Sequence, residues 1–171
     1  MKNLVIILFG LFSSLTFSQQ DTARDAFLEK WENSKNYLLA IAESMPEADF
    51  DYKPTEREMS FKAQLLHIED NMLWLKNSYL LNKEVEKVNP DLENISKEEV
   101  IKSLTNSFDS VFKAVSELPD SALKETVAFF AGPKSKLQIL NLLQDHVSHH
   151  RGQLIVYLNL KNVKPPKYVG W

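Results

Sequence analysis

Hydrophobic positions along this chain recur at three- and four-residue steps in four separate stretches, and strand-type alternation is almost absent. Such steps put side chains on one face of a helix, because each residue advances about 100° around the axis. The first stretch predicts a helix over about Thr22 to Ser44, with Trp31, Tyr37, Leu38 and Ile41 on its apolar face. Met45-Pro46 ends it, and a connection containing Pro46 and Pro54 follows. The second predicts a helix over about Ser60 to Leu81 with a buried stripe of Phe61, Leu65, Ile68, Met72, Leu75 and Tyr79. Asn82 to Asn94 reads as polar loop. A third helix opens at Ser96, where Ser96-Lys97-Glu98-Glu99 makes a capping box. It continues through Val100, Leu104, Phe108, Val111, Phe112 and Val115, and stops before Pro119. Asp120 to Pro133 reads as irregular, its apolar knot Val127-Ala128-Phe129-Phe130 forming a short extended piece packed across the bundle. The last helix runs from about Ser135 to Leu160, and the prolines that follow hold the tail from Val163 to Tyr168 extended. Four long helices without a sheet predict an all-α antiparallel four-helix bundle with a long connection before its last helix.

Residues 1–18 carry a different pattern. Lys2 supplies a positive start, Leu4 to Phe12 an apolar core, and Thr16-Phe17-Ser18 small residues three and one positions before a cleavage point. This predicts a secretory signal peptide, leaving residues 19–171 as one helical domain, periplasmic or secreted. An uncleaved anchor is the alternative, although the apolar run is short for a membrane span. No stable span is expected after cleavage. The formal net charge of −3, with no basic tract, argues against nucleic acid as a partner. The absence of cysteine excludes disulfides, a thiolate nucleophile, a cysteine-ligated metal and a lipoprotein anchor.

Chemistry concentrates at Asp145 to Leu154, D-H-V-S-H-H-R-G-Q-L, which holds three of the four histidines. His146 and His150 are spaced i, i+4, so on a helix their side chains diverge by only about 40°. Gln153 joins them on the apolar sector built by Ile139, Leu142, Leu143, Leu154 and Tyr157. Two imidazoles and an amide in that sector need partners, because burying unpaired polar groups is costly. Two readings stand: core histidines satisfied by ordinary hydrogen bonds, or half of a metal site. His149 points about 60° away from His146 and reads as flanking the pair or lining a cleft. Arg151 points away from the ligand face, and Gly152 reads as a place where another helix approaches closely.

His67 is the remaining histidine. It falls roughly 120° from the centre of the second helix's stripe, which reads as a boundary or surface position. Trp74 shares its flank, which suggests that the long connections cover that side. Asp70, three residues after His67, is a candidate base or a carboxylate supporting a ligand, or else a solvated charge.

The stretch H-V-S-H-H-R-G-Q-L-I-V-Y-L-N-L-K-N-V-K-P-P resembles the last helix and tail of DinB-like proteins, the DinB/YfiT superfamily of four-helix bundles. Phe61-Lys62-Ala63-Gln64-Leu65-Leu66-His67-Ile68 is similar to that family's second helix, and Phe50-Asp51-Tyr52-Lys53-Pro54-Thr55 to the connection before it. The similarity runs from about residue 25 to the end, and its H-x-x-H-H-R-G-Q element is the most specific part. The resemblance implies a divalent metal held by His67, His146 and His150, and a homodimer. Three neutral imidazoles with no fourth protein ligand leave coordination positions open, as catalytic rather than closed structural sites do. All-nitrogen ligation suits zinc, nickel, iron or copper and selects poorly among them. Gln153, Asp70 and His149 are the candidates for supporting a ligand or meeting a substrate. The activity expected is metal-dependent hydrolysis of a small molecule. The alternatives are a thiol-dependent S-transferase, disfavoured by export away from cytosolic thiols, and a module that binds metal or ligand without turnover.

Overall fold

The computed structural model describes residues 22–83 and 95–171. The signal-peptide segment and most of the Asn82–Asn94 loop lie outside the described residues. Four helices dominate: α1 (Ala23–Ser44), α2 (Phe61–Leu75), α3 (Lys97–Ser116) and α4 (Lys136–Leu160). Each begins at a hydroxyl side chain that accepts a backbone N–H of the first turn, which would otherwise have no partner there. Thr22, Ser96 and Ser135 form full capping boxes with Asp25, Glu99 and Gln138, while Ser60 accepts from Ala63 alone. The helix expected to reach Leu81 instead relaxes into a wider π-type turn over Lys76–Leu80. No helix among the described residues is long and apolar enough to cross a membrane.

The core follows the helical stripes. Trp31, Phe61 and Phe108 are fully buried, and the Trp31 indole donates to the Phe108 carbonyl at 3.1 Å. Two positions depart from the sequence expectation. Phe112 lies at the surface, and Tyr79 is only partly covered, because the wider turn rotates it off the α2 stripe.

Cross-helix contacts set the helix directions. Trp31 meets Phe108 and Arg24 reaches the Leu118 carbonyl, while Lys97 caps carbonyls at the end of α1, so α1 and α3 are antiparallel. Glu69 meets Ser103 and Ser107, and Lys76 meets Ser110, so α2 and α3 run the same way. Gln64 meets Tyr157, and His67 meets His146 eleven residues earlier in α4, so α2 and α4 are antiparallel.

The stretch between α3 and α4 is more ordered than its sequence suggests. A 3-10 turn at Asp120–Lys124 leads into β1 (Thr126–Val127), which pairs antiparallel with β2 (Lys134–Ser135) in the register Thr126↔Ser135. This hairpin carries Phe129 onto Trp74 and Tyr79, so the connection does cover the His67–Trp74 flank of α2. Phe130 remains 81% exposed.

On α4 the buried apolar stripe is Ile139, Leu140, Leu143, Val147, Leu154, Tyr157 and Leu158. Ile139, Leu143, Leu154 and Tyr157 of the face read off the sequence are buried as expected, and Leu140, Val147 and Leu158 widen the buried stripe to one side of it. Leu142 is therefore only half-buried, and His146 lies at the stripe's edge, facing α2. Arg151 stacks its guanidinium over Tyr37 of α1, 5.1 Å from the ring centre. Among the described residues outside its own turn of helix, nothing comes within 4 Å of a Cβ built on Gly152, so the expected close helix approach is absent there.

Candidate metal centre

The antiparallel pairing of α2 and α4 brings His67 opposite His146 and His150. One nitrogen from each ring lies within 4.8 Å of the other two. The His67 ring centre is 4.9 Å from that of His146 and 4.7 Å from that of His150, and the two α4 rings are 4.5 Å apart. His67 thus occupies the boundary position that periodicity indicates, and that boundary is the seam between α2 and α4. His67 and His146 are half-buried and His150 is buried, so the cluster is open on one side.

Hydrogen bonding fixes the state of His150. The Met59 carbonyl can only accept, so the Tyr157 hydroxyl donates to it at 2.9 Å. The hydroxyl's lone pair then receives the Gln64 amide N–H, at 3.4 Å. The Gln64 amide oxygen consequently faces His150 Nδ1, at 2.5 Å, and that nitrogen carries the proton. Gln153 Oε1 approaches the same Nδ1 at 3.0 Å. His150 Nε2 is left as a bare lone pair turned toward the cluster. Gln64 is only 2% exposed, and the sequence reading overlooked it. Its signal was available: a glutamine three residues before His67, inside an otherwise apolar run. Gln153 thus supports the His150 ring through the same Nδ1 as Gln64.

His146 is held differently. Its Nε2 meets His67 Nε2 at 3.2 Å, while its Nδ1 is buried with no partner. Burial pushes His146 down to about 4, helped by the neighbouring His150, His67 and His149 rings. Burial likewise pushes His150 down to about 4, with His67 and His149 adding to the effect and the bond to Gln153 opposing it. Both rings are therefore neutral near pH 7, and each has one nitrogen lone pair to offer.

These residues fit a divalent transition metal. Ligand nitrogens of a tetrahedral site with bonds near 2.0–2.1 Å are about 3.3 Å apart, close to the 3.2 Å between His67 and His146. Three imidazole nitrogens suit zinc, nickel or iron, and the donor set does not choose among them.

The other candidates lie at the rim. His149 is exposed, its ring set edge-on to His150 at 4.9 Å. Asp70 is exposed and hydrogen-bonds to none of the three rings. Partial burial of its carboxyl pushes its pKa up, and the nearby His67 draws it down.

Comparisons with known proteins agree with this architecture. The chain superposes on a DinB-like protein of Bacillus subtilis with a TM-score of 0.69 at 17% identity, covering 84% of this chain and 96% of that one. It superposes on a DinB-like protein of Bacillus cereus with a TM-score of 0.71 at 18% identity, covering 84% and 95%. No functionally curated protein matches. The family model described as the DinB family matches residues 18–169, nearly the whole chain including α2 and α4 with all their histidines, and the chain belongs to that family.

Proposed function

We propose that this chain is an exported metal-dependent hydrolase of a small substrate. The observation that carries the reading is the convergence of three imidazole nitrogens within 4.8 Å, open on one side. His67, His146 and His150 would hold the ion. A divalent zinc, nickel or iron ion bound there would supply a Lewis acid that polarises the bond to be cleaved. The Gln64–Tyr157 chain keeps the His150 lone pair aimed into the cluster. Asp70, beside His67, and His149, edge-on to His150, are the candidates for meeting a bound substrate.

The test is turnover. The chain loaded in turn with zinc, nickel and iron is assayed against esters, amides, lactones and phosphoesters, with His150→Ala alongside. Hydrolysis that needs metal and disappears in the variant is the expected result. Metal retained with no turnover across the panel favours a second reading, a binding module. That reading draws on one observation: no described carboxylate bonds to any of the three rings. Metal-dependent joining of a thiol to an electrophile would instead identify a transferase. Export rests on the pattern of residues 1–18 and is tested by the N-terminus of the protein recovered outside the cytoplasm, expected at Gln19.

A further inference from the structure

Helix α2 carries an amide side chain on either side of His67. Gln64, about one turn before it, faces His150 Nδ1. Asn71 stands about one turn after it. On a regular helix Asn71 points about 40° from His67 and about 20° from Gln64, in the sector between them. Since both of those residues meet α4, so does that sector.

The register of the two helices says what Asn71 meets. Gln64 meets Tyr157 and His150, and His67 meets His146. Each step forward on α2 is a step back on α4, so Asn71 falls opposite roughly residues 143–147. In that segment Leu143 and Val147 are buried and apolar, Asp145 is exposed, and Gln144 reaches Ser34 of α1. His146 is the polar residue there that turns to α2.

Asn71 and His146 each hold a buried atom without a partner, Oδ1 of the amide and Nδ1 of the ring. Buried polar atoms are normally bonded, so each needs an explanation. The amide oxygen can only accept. His146 Nε2 is the nitrogen turned to His67, 3.2 Å away, so an ion held by these rings takes the Nε2 lone pair. A neutral imidazole has a single N–H, which must then lie on Nδ1. Ion binding thus needs a buried acceptor beside His146, and α2 holds an unused one in register with it. The other unpartnered buried donor among the described residues, Arg151 Nη1, belongs to a side chain stacked over Tyr37 of α1.

We propose that Asn71 is a positioning residue of the metal site, its Oδ1 accepting the His146 Nδ1–H and so keeping Nε2 free for the ion. The inference rests on the metal-site reading above and gives His146 the support that Gln64 gives His150. The two atoms are not bonded to each other in this structure. With the ring proton on Nε2 instead, Nδ1 is a lone pair and has nothing to donate.

Zinc affinity and the His146 ring signals test it together. The native chain, Asn71→Leu and Asn71→Asp are titrated with zinc against a chromophoric chelator, and urea unfolding checks that each folds. Asn71→Ala replaces the leucine variant if that one does not fold. Asn71→Leu should bind zinc about 10–100-fold more weakly. Asn71→Asp keeps an acceptor oxygen and should bind at least as tightly as the native chain. In nitrogen-15 NMR of the zinc-loaded native chain, the His146 ring proton should lie on Nδ1, shifted downfield by its bond to oxygen. It should move upfield in Asn71→Leu and stay downfield in Asn71→Asp, a split that lost packing would not produce. Native affinity in Asn71→Leu, equal weakening in both variants, or a His146 proton that Asn71→Leu leaves in place overturns the role of Asn71 and leaves the metal reading standing. A native chain that takes up no zinc overturns both.

Discussion

Helix α2 carries two polar residues two positions apart, and its two faces treat them differently. Glu69 faces α3 and is almost fully buried, with one carboxylate oxygen accepting from Ser103 at 2.5 Å and Ser107 at 3.0 Å. His67 faces α4, where its Nε2 meets another imidazole nitrogen at 3.2 Å and a third ring turns in at 4.7 Å. The first cluster is closed, since its donors meet an acceptor and need nothing further. The second gathers lone pairs, and lone pairs repel unless a proton or a cation lies between them. Buried polarity by itself therefore does not mark a site. Buried polarity whose donors and acceptors fail to balance does.

The sharpest way to break this comparison is to exchange its outcomes. Protein purified without a histidine tag or chelator should carry about one equivalent of metal, read by mass spectrometry. His146→Ala combined with His150→Ala should abolish it, whereas Glu69→Ala should leave it unchanged. Loss of metal in the Glu69 variant would mean that the two faces are not independent.

The next effect is on stability and belongs to the closed cluster. Glu69→Ala leaves the Ser103 and Ser107 hydroxyls without their acceptor and should cost about 1–3 kcal/mol in urea unfolding. Gln64→Leu sharpens the contrast from the other side. It removes the acceptor that fixes the His150 tautomer and should weaken metal binding by about 10–100-fold in competition with a chromophoric chelator, with the helical spectrum retained. Gln153→Ala should weaken it less, since Gln64 still holds the same Nδ1.

Acid should act on the open cluster. His146 and His150 are pushed down to about 4 in the folded chain and titrate near 6.5 when unfolded. Between those values the unfolded state binds more protons. The stability of the metal-free chain should therefore fall as pH drops from about 6.5 to about 4, and level off below. Replacing both histidines with phenylalanine should flatten that slope in melts taken across the window. An unchanged slope would place the acid sensitivity elsewhere.

Much of this molecule was legible in its sequence because helices are local. Spacing marked Trp31, Leu38 and Ile41 on α1 and Val100 to Val115 on α3, and Ser96 with Glu99 announced a helix start that the structure confirms. The His146/His150 pair was visible for the same reason, since i, i+4 spacing shows that two rings share a face without knowledge of what that face meets. Periodicity also put His67 at a boundary, and that was right about the helix while silent about the site. The π-type turn at Lys76–Leu80 was not legible, because the apolar spacing that suggested a helix to Leu81 does not distinguish a wider turn from a regular one.

By itself the sequence determined the number of helices, their starts, and which side chains each could bury, since these follow from residue spacing and from hydroxyls placed to cap the first turn. Only the tertiary structure decided that α2 and α4 run antiparallel in contact, so that a boundary histidine from one meets a pair from the other. It also decided that Gln64, a residue with no motif, holds His150, and that the hairpin before α4 packs Phe129 onto Trp74 and Tyr79. These depend on the relative rotation and direction of elements far apart in the chain. Those are set by how whole faces pack together, and no local pattern carries that information.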